Sequence, residues 1–366
     1  MKFTVSQSSL AQALAIVSKG MGSNASQPII SGVHLIAENG TLELQTTDTT
    51  IFIRHSIPAN VDEAGETVLS GKILMSIVKN LADAPISVEG DDHNVMIASG
   101  KSSFRLNALS PEDFPSFPEY EFENSVELDS DVLQTMVDKV YKVTYKDNSR
   151  PILSGILTTV EDNTIRLVAT DSYRLAVCDT NVDTSNAEAF RAILPGSVFH
   201  EVLGLPGMTE KILIGITPSQ VVFQFGNTTF IARKIEGNFP NYKQLLPKSC
   251  TTKVTVNVAD LASSLRRVSV IALANPSVRF DIECDAKLMK LSATSPDQGD
   301  ATEYVNIDAE GEDLSIALNY HYVNDCMNAV SDQDEITLEL QSAMQPGIFK
   351  SYAKVNYLYL LMPVRM

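Results

Sequence analysis

A chain of 366 residues with 44% hydrophobic content is long enough for two or three cores, and no apolar run in it approaches a membrane span. Its net charge of −17, taken alone, argues against nucleic acid, because duplex phosphates repel an acidic protein. Cys178, Cys250, Cys284 and Cys326 form no CxxC pair. They fit reduced thiols better than a disulfide framework or a zinc site and predict a cytoplasmic protein.

In chain order, Met1-Lys2-Phe3-Thr4-Val5 reads as a strand rather than a signal peptide. Leu10, Ala13, Leu14 and Val17 then form one helical face, with Ser8 or Ser9 as its cap. Gln27-Pro28-Ile29-Ile30-Ser31-Gly32 leads through alternating strands, turned at Glu38-Asn39-Gly40, to Leu44-Gln45-Thr46-Thr47-Asp48. A second helix follows a Leu-x-Gly start, with Ile73, Leu74, Ile77 and Val78 on its apolar face. More strands close the unit at Phe114-Pro115.

The pattern then starts again. Ser130 or Asp131 caps a helix carrying Leu133, Met136, Val137 and Val140, and Arg150-Pro151-Ile152-Leu153-Ser154-Gly155 leads to Leu167-Val168-Ala169-Thr170-Asp171. Proline and aspartate lie twenty residues apart in both copies, and the copies are offset by 123 residues. The matching turn is Glu161-Asp162-Asn163, the second helix carries Val198, Phe199, Val202 and Leu203, and the copy ends at Phe239-Pro240. A weaker third copy has Asp260 as cap, Leu261, Leu265 and Val268, then Asn275-Pro276, Leu291-Ser292-Ala293-Thr294, and Tyr322, Val323, Cys326 and Met327. A period this long is a repeat of whole domains. The expectation is α+β: three domains, 1–125, 126–248 and 249–366, each with two helices and about eight strands.

Charge is uneven. Taking helices at 8–19, 72–81, 131–146, 197–205, 259–270 and 320–330, eight basic and five acidic residues give +3, against −20 elsewhere. Good helix formers and chance are one explanation; a shared helical surface that meets a polyanion is the other.

Nothing predicts catalysis. There is no Walker loop, GxGxxG, GxSxG or HExxH, and His200-Glu201 lacks the second histidine of a zincin because position 204 is Gly204. Asp48 and Asp171 occupy equivalent repeat positions, which suits turn capping better than acid chemistry. Asp91-Asp92 and the segment from Asp297 to Asp300 lack the calcium-loop pattern. No catalytic residue, metal or cofactor is expected.

Four strings carry a resemblance to a known family: Ala169-Thr170-Asp171-Ser172-Tyr173-Arg174-Leu175-Ala176; Glu236-Gly237-Asn238-Phe239-Pro240-Asn241-Tyr242 with Leu246-Pro247; Leu361-Met362-Pro363-Val364-Arg365-Met366; and the opening Met1 to Val5. Together with length and threefold repetition, the whole chain resembles the bacterial DNA polymerase III β subunit, the β sliding clamp. The resemblance implies a head-to-tail homodimeric ring of six domains, with twelve helices inside and sheets outside. Twelve helices at about 9 Å spacing give a ring roughly 35 Å across, wide enough for duplex DNA and water.

The resemblance also implies a partner pocket between domains two and three, for short Leu/Phe motifs of the polymerase alpha subunit, the clamp loader and repair polymerases. Its lining would be Leu153, Thr170, Ser172, Tyr173, Arg174, Leu175, Pro240, Leu245, Tyr322, Leu360, Met362, Pro363 and Val364, with Arg365 at the rim. Many relatives carry Gly-His where this chain has Ser172-Tyr173, and Asn24 stands where an arginine that contacts DNA is expected. DNA-facing residues would be Lys19, Asn24, Lys72, Lys146, Arg150, Arg266 and Arg267. At the ring joint, Phe104 and Leu106 would meet Ile271 and Leu273, with Lys101 and Arg105 facing Asp297, Asp300 or Glu303. A repeat-built peptide-binding protein that never encircles DNA is the competing expectation, with an enzyme a distant third.

Overall fold

In the computed structural model, all residues are described except 23–27, 92, 123, 148, 184–188, 273–274 and 366. The helices are α1 (Gln7–Val17), α2 (Gly71–Asn80), α3 (Ser130–Tyr141), the one-turn α4 (Pro151–Ser154), α5 (Gly196–Leu203), α6 (Val258–Val268) and α7 (Tyr320–Ala329). Among the described residues, nine, eight and eight strands fall in the three successive repeats.

The strands form two compact units that do not follow the threefold period. One unit comprises Met1–Asp131 with Ser197–Lys234, and holds a five-stranded and an eight-stranded sheet. In the larger sheet, Thr228–Arg233 of the central repeat pairs antiparallel with Ile51–Pro58 of the first. The other unit comprises Val132–Thr184, Ala189–Gly196 and Ile235–Met366, around one twelve-stranded sheet. Here Arg174–Asn181 of the central repeat pairs antiparallel with Asn356–Leu361 of the third. The central repeat therefore gives half its strands to each neighbour's sheet.

Helical faces follow the periodicity closely. Leu10, Ala13, Leu14 and Val17 are buried on α1, Leu133, Met136, Val137 and Val140 on α3, and Leu261, Leu265 and Val268 on α6. Ile73 departs from its predicted face: it is 49% exposed, while Leu74 and Val78 are buried. The caps also sit earlier than expected. Ser6 accepts from the Ser9 amide and Asn257 from the Asp260 amide, satisfying orphan N–H groups of α1 and α6.

The third helix is shorter than its sequence pattern. It stops at Tyr141, where the Thr144 hydroxyl donates to the Tyr141 carbonyl and the Val143 amide to Val140. Lys142 and Lys146 thus lie outside any helix, and Lys19 lies in the 3₁₀ helix Ser18–Gly20 that follows α1. The six longer helices then carry five basic residues (Lys72, Lys79, Lys139, Arg266, Arg267) against five acidic ones (Asp131, Asp138, Glu201, Asp260, Asp325). The expected positive excess on the helices is corrected to zero. One of these cations, Lys139, is buried, donating to the Ala329 carbonyl.

Turn chemistry was well encoded. Asn39 and Gly40 take φ of 49° and 77°, and Asp162 and Asn163 take 51° and 56°, the left-handed pair a tight hairpin requires. Gly311 has φ of 112°, and a Cβ there would lie 2.0 Å from the Thr251 carbonyl oxygen. Gly311→Ala is therefore expected to cost about 3 kcal/mol, from backbone strain and overlap, read as a fall in denaturation midpoint.

Candidate peptide-binding pocket

The Thr-Asp turns of the first two repeats are built alike. The Thr47 hydroxyl donates to the Ile51 carbonyl, and Asp48 Oδ1 accepts from the amides of Thr50 and Ile51. In the central repeat the Thr170 hydroxyl donates to the Arg174 carbonyl, and Asp171 Oδ1 accepts from the amides of Tyr173 and Arg174. Thr49 and Ser172 both sit at φ of 79°. Both aspartates therefore cap turns. Where the first copy has Ile51, the second has Arg174, and this change gives the second turn further partners.

Arg174 is almost fully buried, and its guanidinium is shared among four acceptors. Nε donates to Asp171 at 2.8 Å, and one terminal nitrogen to Asp325 at 2.6 Å and to the Tyr359 hydroxyl at 3.2 Å. The other reaches the Lys142 carbonyl at 2.9 Å, and the guanidinium carbon lies 4.2 Å from the Tyr322 ring centroid. Burial opposes the charge, but Tyr359, Asp325 and Asp171 outweigh it and hold the group above its ordinary pKa. Burial also pushes the Tyr322 phenol up.

Strand alternation places Leu175 on the opposite face of the sheet from Arg174. There it joins Leu157, Val168, Val177, Ile193, Phe239, Tyr242, Ile348 and Leu360 in one apolar cluster. Leu175 and Leu360 are register partners across the seam between the central and third repeats. Arg174, with Tyr322 against its guanidinium, thus lies on the other face of the sheet from the Leu175 cluster. Leu153 is half-buried on α4, whose neighbouring Ile152 packs against the cluster together with Ile235, Leu246 and Leu358.

The C-terminal segment is pinned at two points. The Met362 amide donates to the Tyr173 carbonyl at 3.0 Å and the Val364 amide to the Ala317 carbonyl at 2.9 Å. Tyr173, Leu245 and Met362 are nonetheless 63%, 53% and 43% exposed, beside an apolar floor. Pro240, Ser172 and Arg365 are exposed too, Pro363 and Val364 half-buried, and Thr170 buried by its turn bonds. Large apolar groups left in water next to a buried apolar cluster mark a surface made to be covered. Sequence reading missed Val177, Tyr242, Ile348 and Leu358. The alternation Leu175-x-Val177 and Leu358-x-Leu360 is the signal that finds two of them.

The other candidates scatter. Lys19, Lys72 and Arg266 are exposed. Lys146 lies over the Tyr141 ring, 4.2 Å from its centroid, and burial followed by repulsion from Arg174 lowers its pKa. Arg150 donates to the Ser172 hydroxyl at 3.1 Å, so it sits by the pocket turn. Arg267 and Glu303, expected on different surfaces, form a two-bonded pair with both contacts at 2.8 Å. Glu303 is therefore engaged by Arg267 within its own chain. Lys101 is exposed in the turn before Ser102–Asn107, the edge strand of the five-stranded sheet, on which Phe104 and Arg105 are exposed and Leu106 half-buried. Asp297 and Asp300 are exposed and Ile271 half-buried; Asn24 and Leu273 lie outside the described residues. Among the described residues, no group of three or more His, Cys, Asp or Glu could hold a metal ion.

Three family profiles cover nearly the whole chain: the DNA polymerase III beta subunit N-terminal domain matches residues 1–118, the central domain 127–241 and the C-terminal domain 243–365. The chain belongs to the DNA polymerase III beta subunit family. A relative named Beta sliding clamp in Staphylococcus epidermidis is 29% identical over 376 residues, covering 100% of this chain and 99% of that one. The DNA polymerase sliding clamp from Bacillus subtilis superposes with a TM-score of 0.94 at 27% identity, covering 100% of this chain and 99% of that one. A beta subunit clamp from Bartonella birtlesii, solved bound to griselimycin, gives a TM-score of 0.90 at 28% identity with complete coverage of both chains.

Proposed function

We propose that two copies of this chain close head to tail around duplex DNA, and that the apolar groove at Leu175, Leu360 and Met362 takes short Leu/Phe peptides from its clients. The chain is a DNA sliding clamp, a non-catalytic processivity factor of the DNA polymerase III family. The clients are the polymerase alpha subunit, the clamp loader and repair polymerases. The observation that carries the peptide reading is the exposure of Tyr173, Leu245 and Met362 around a buried apolar floor. Leucine and phenylalanine anchors fill such a site, and methionine adapts its shape to different partners.

For the ring, the support is the open edge strand Ser102–Asn107 with exposed Phe104, and exposed Val270 and Tyr304 elsewhere in the chain. Lys101 and Arg105 then face Asp297 and Asp300 of the partner subunit, setting register more than affinity. The domain boundaries of this reading are 1–125, 126–248 and 249–366, so the ring has six domains. DNA would meet the exposed cations at helix ends, Lys19, Lys72, Lys146 and Arg266, with Arg150 and Arg267 partly engaged. Such contacts are weak and screened by salt, which permits sliding. No helix among the described residues is long and apolar enough to cross a membrane, and the cytoplasm is the proposed compartment.

The ring requires a dimer. Native mass across a micromolar concentration series is expected at twice the 39.9 kDa chain mass. A monomer throughout would instead favour a peptide-binding protein that never encircles DNA.

A further inference from the structure

Beside the apolar groove lies a cavity of about 430 Å³, whose walls include Val177, Tyr242, Leu246 and Leu358, all members or neighbours of the groove's own cluster. The cavity and the groove's cluster sit on the same three adjacent strands. Their rungs are Thr170, Leu175 and Leu360; then Val168, Val177 and Leu358; then Arg166, Asp179 and Asn356. The first rung is itself buried; rungs two residues apart are about 7 Å apart, so the cavity opens at the second and third rungs, within the reach of a few extended residues from Met362.

The last rung is polar and preorganised. Arg166 Nε donates to one Asp179 oxygen at 3.1 Å and Asn356 Nδ2 to the other at 3.0 Å, so the carboxylate is held from both sides. Lys243, also in the cavity wall, is exposed and has no ion pair among the described residues. The cavity therefore has one cation in excess, on a chain whose net charge is −17. Tyr352, 75% exposed, adds an uncovered aromatic wall.

We infer that this cavity is a second subsite for the same docking peptides, and takes an acidic residue beside an apolar one, flanking the Leu/Phe anchor. The inference rests on the peptide-binding reading of the groove. The shared walls Val177, Tyr242, Leu246 and Leu358 place the cavity next to the groove's cluster, and Lys243 with the Arg166 rung supplies the charge complement. An acidic protein repels acidic peptides at long range, so a locally positive cavity discriminates among clients.

The test measures peptide affinity by fluorescence polarisation for an anchor peptide alone, and for the same anchor extended on its amino or carboxyl side by an acidic and an aliphatic residue. One extension is expected to tighten binding about five- to tenfold, the scale of a partly exposed ion pair plus one buried apolar group. Lys243→Glu should remove that gain while leaving the affinity of the unextended anchor unchanged. Substituting lysine for the acidic residue should remove it as well. If neither extension tightens binding, or if the gain survives Lys243→Glu, the subsite is refuted while the groove stands. If the unextended anchor fails to bind, the groove reading falls and the subsite falls with it.

Discussion

Arg174→Ala is expected to destabilise the protein by about 3–5 kcal/mol, more than any other single side chain at the pocket. Removing it leaves Asp171 and Asp325 without their shared cation, and the Tyr359 hydroxyl and Lys142 carbonyl without a donor. Orphaning buried charges costs far more than the pair contributes by existing. Arg174→Lys should recover little, because an ammonium cannot reach four acceptors that a planar fork satisfies together. Denaturant midpoints for the two variants check this, and Arg174→Ala combined with Asp325→Asn should regain part of the loss. A midpoint unchanged in Arg174→Ala would mean that the guanidinium network is not what holds the 170–174 turn against the third repeat.

Met362→Asp is expected to weaken a Leu/Phe anchor peptide by at least about 100-fold with no change in the dimer. The side chain is 43% exposed, so the fold tolerates a carboxylate in the free protein. Once a peptide covers it, that charge is desolvated without a partner, and an apolar contact is lost as well, together worth about 3 kcal/mol. The Met362 amide bond to Tyr173 is backbone and survives the substitution. Titration of a labelled peptide against both proteins reads the effect. Retained affinity would show that the groove is not where the anchor sits.

Much of this was legible from residue order because local physics dictated it. Helical spacing found the buried faces of α1, α3 and α6, and the repeated Thr-Asp pair identified a capped turn that occurs twice with the same hydrogen bonds. What escaped depends on contacts distant in sequence. Arg267 and Glu303 are 36 residues apart, and only the folded chain shows that each is the other's partner. The end of α3 was misplaced because Val143 continues the apolar spacing, whereas the Thr144 hydroxyl competes for the Tyr141 carbonyl and closes the helix. That early stop leaves Lys142 and Lys146 beyond α3, and with Lys19 in the 3₁₀ helix after α1 the six longer helices carry no net charge. Resemblance puts Arg174 and Leu175 together in the pocket lining; strand alternation puts their side chains on opposite faces of the sheet. The polar rung of Arg166, Asp179 and Asn356 needed the strand register, which no single stretch of sequence contains.

With a net charge of −17 and only scattered exposed cations toward DNA, the clamp reading puts retention on closure around the duplex more than on phosphate affinity. The direct test loads the protein onto circular and linear duplexes of equal length and follows its dissociation at moderate salt. Long retention on the closed circle, with rapid loss from the linear duplex and from the circle after a single cut, is the predicted result. Equal dissociation from all three would contradict a topological link.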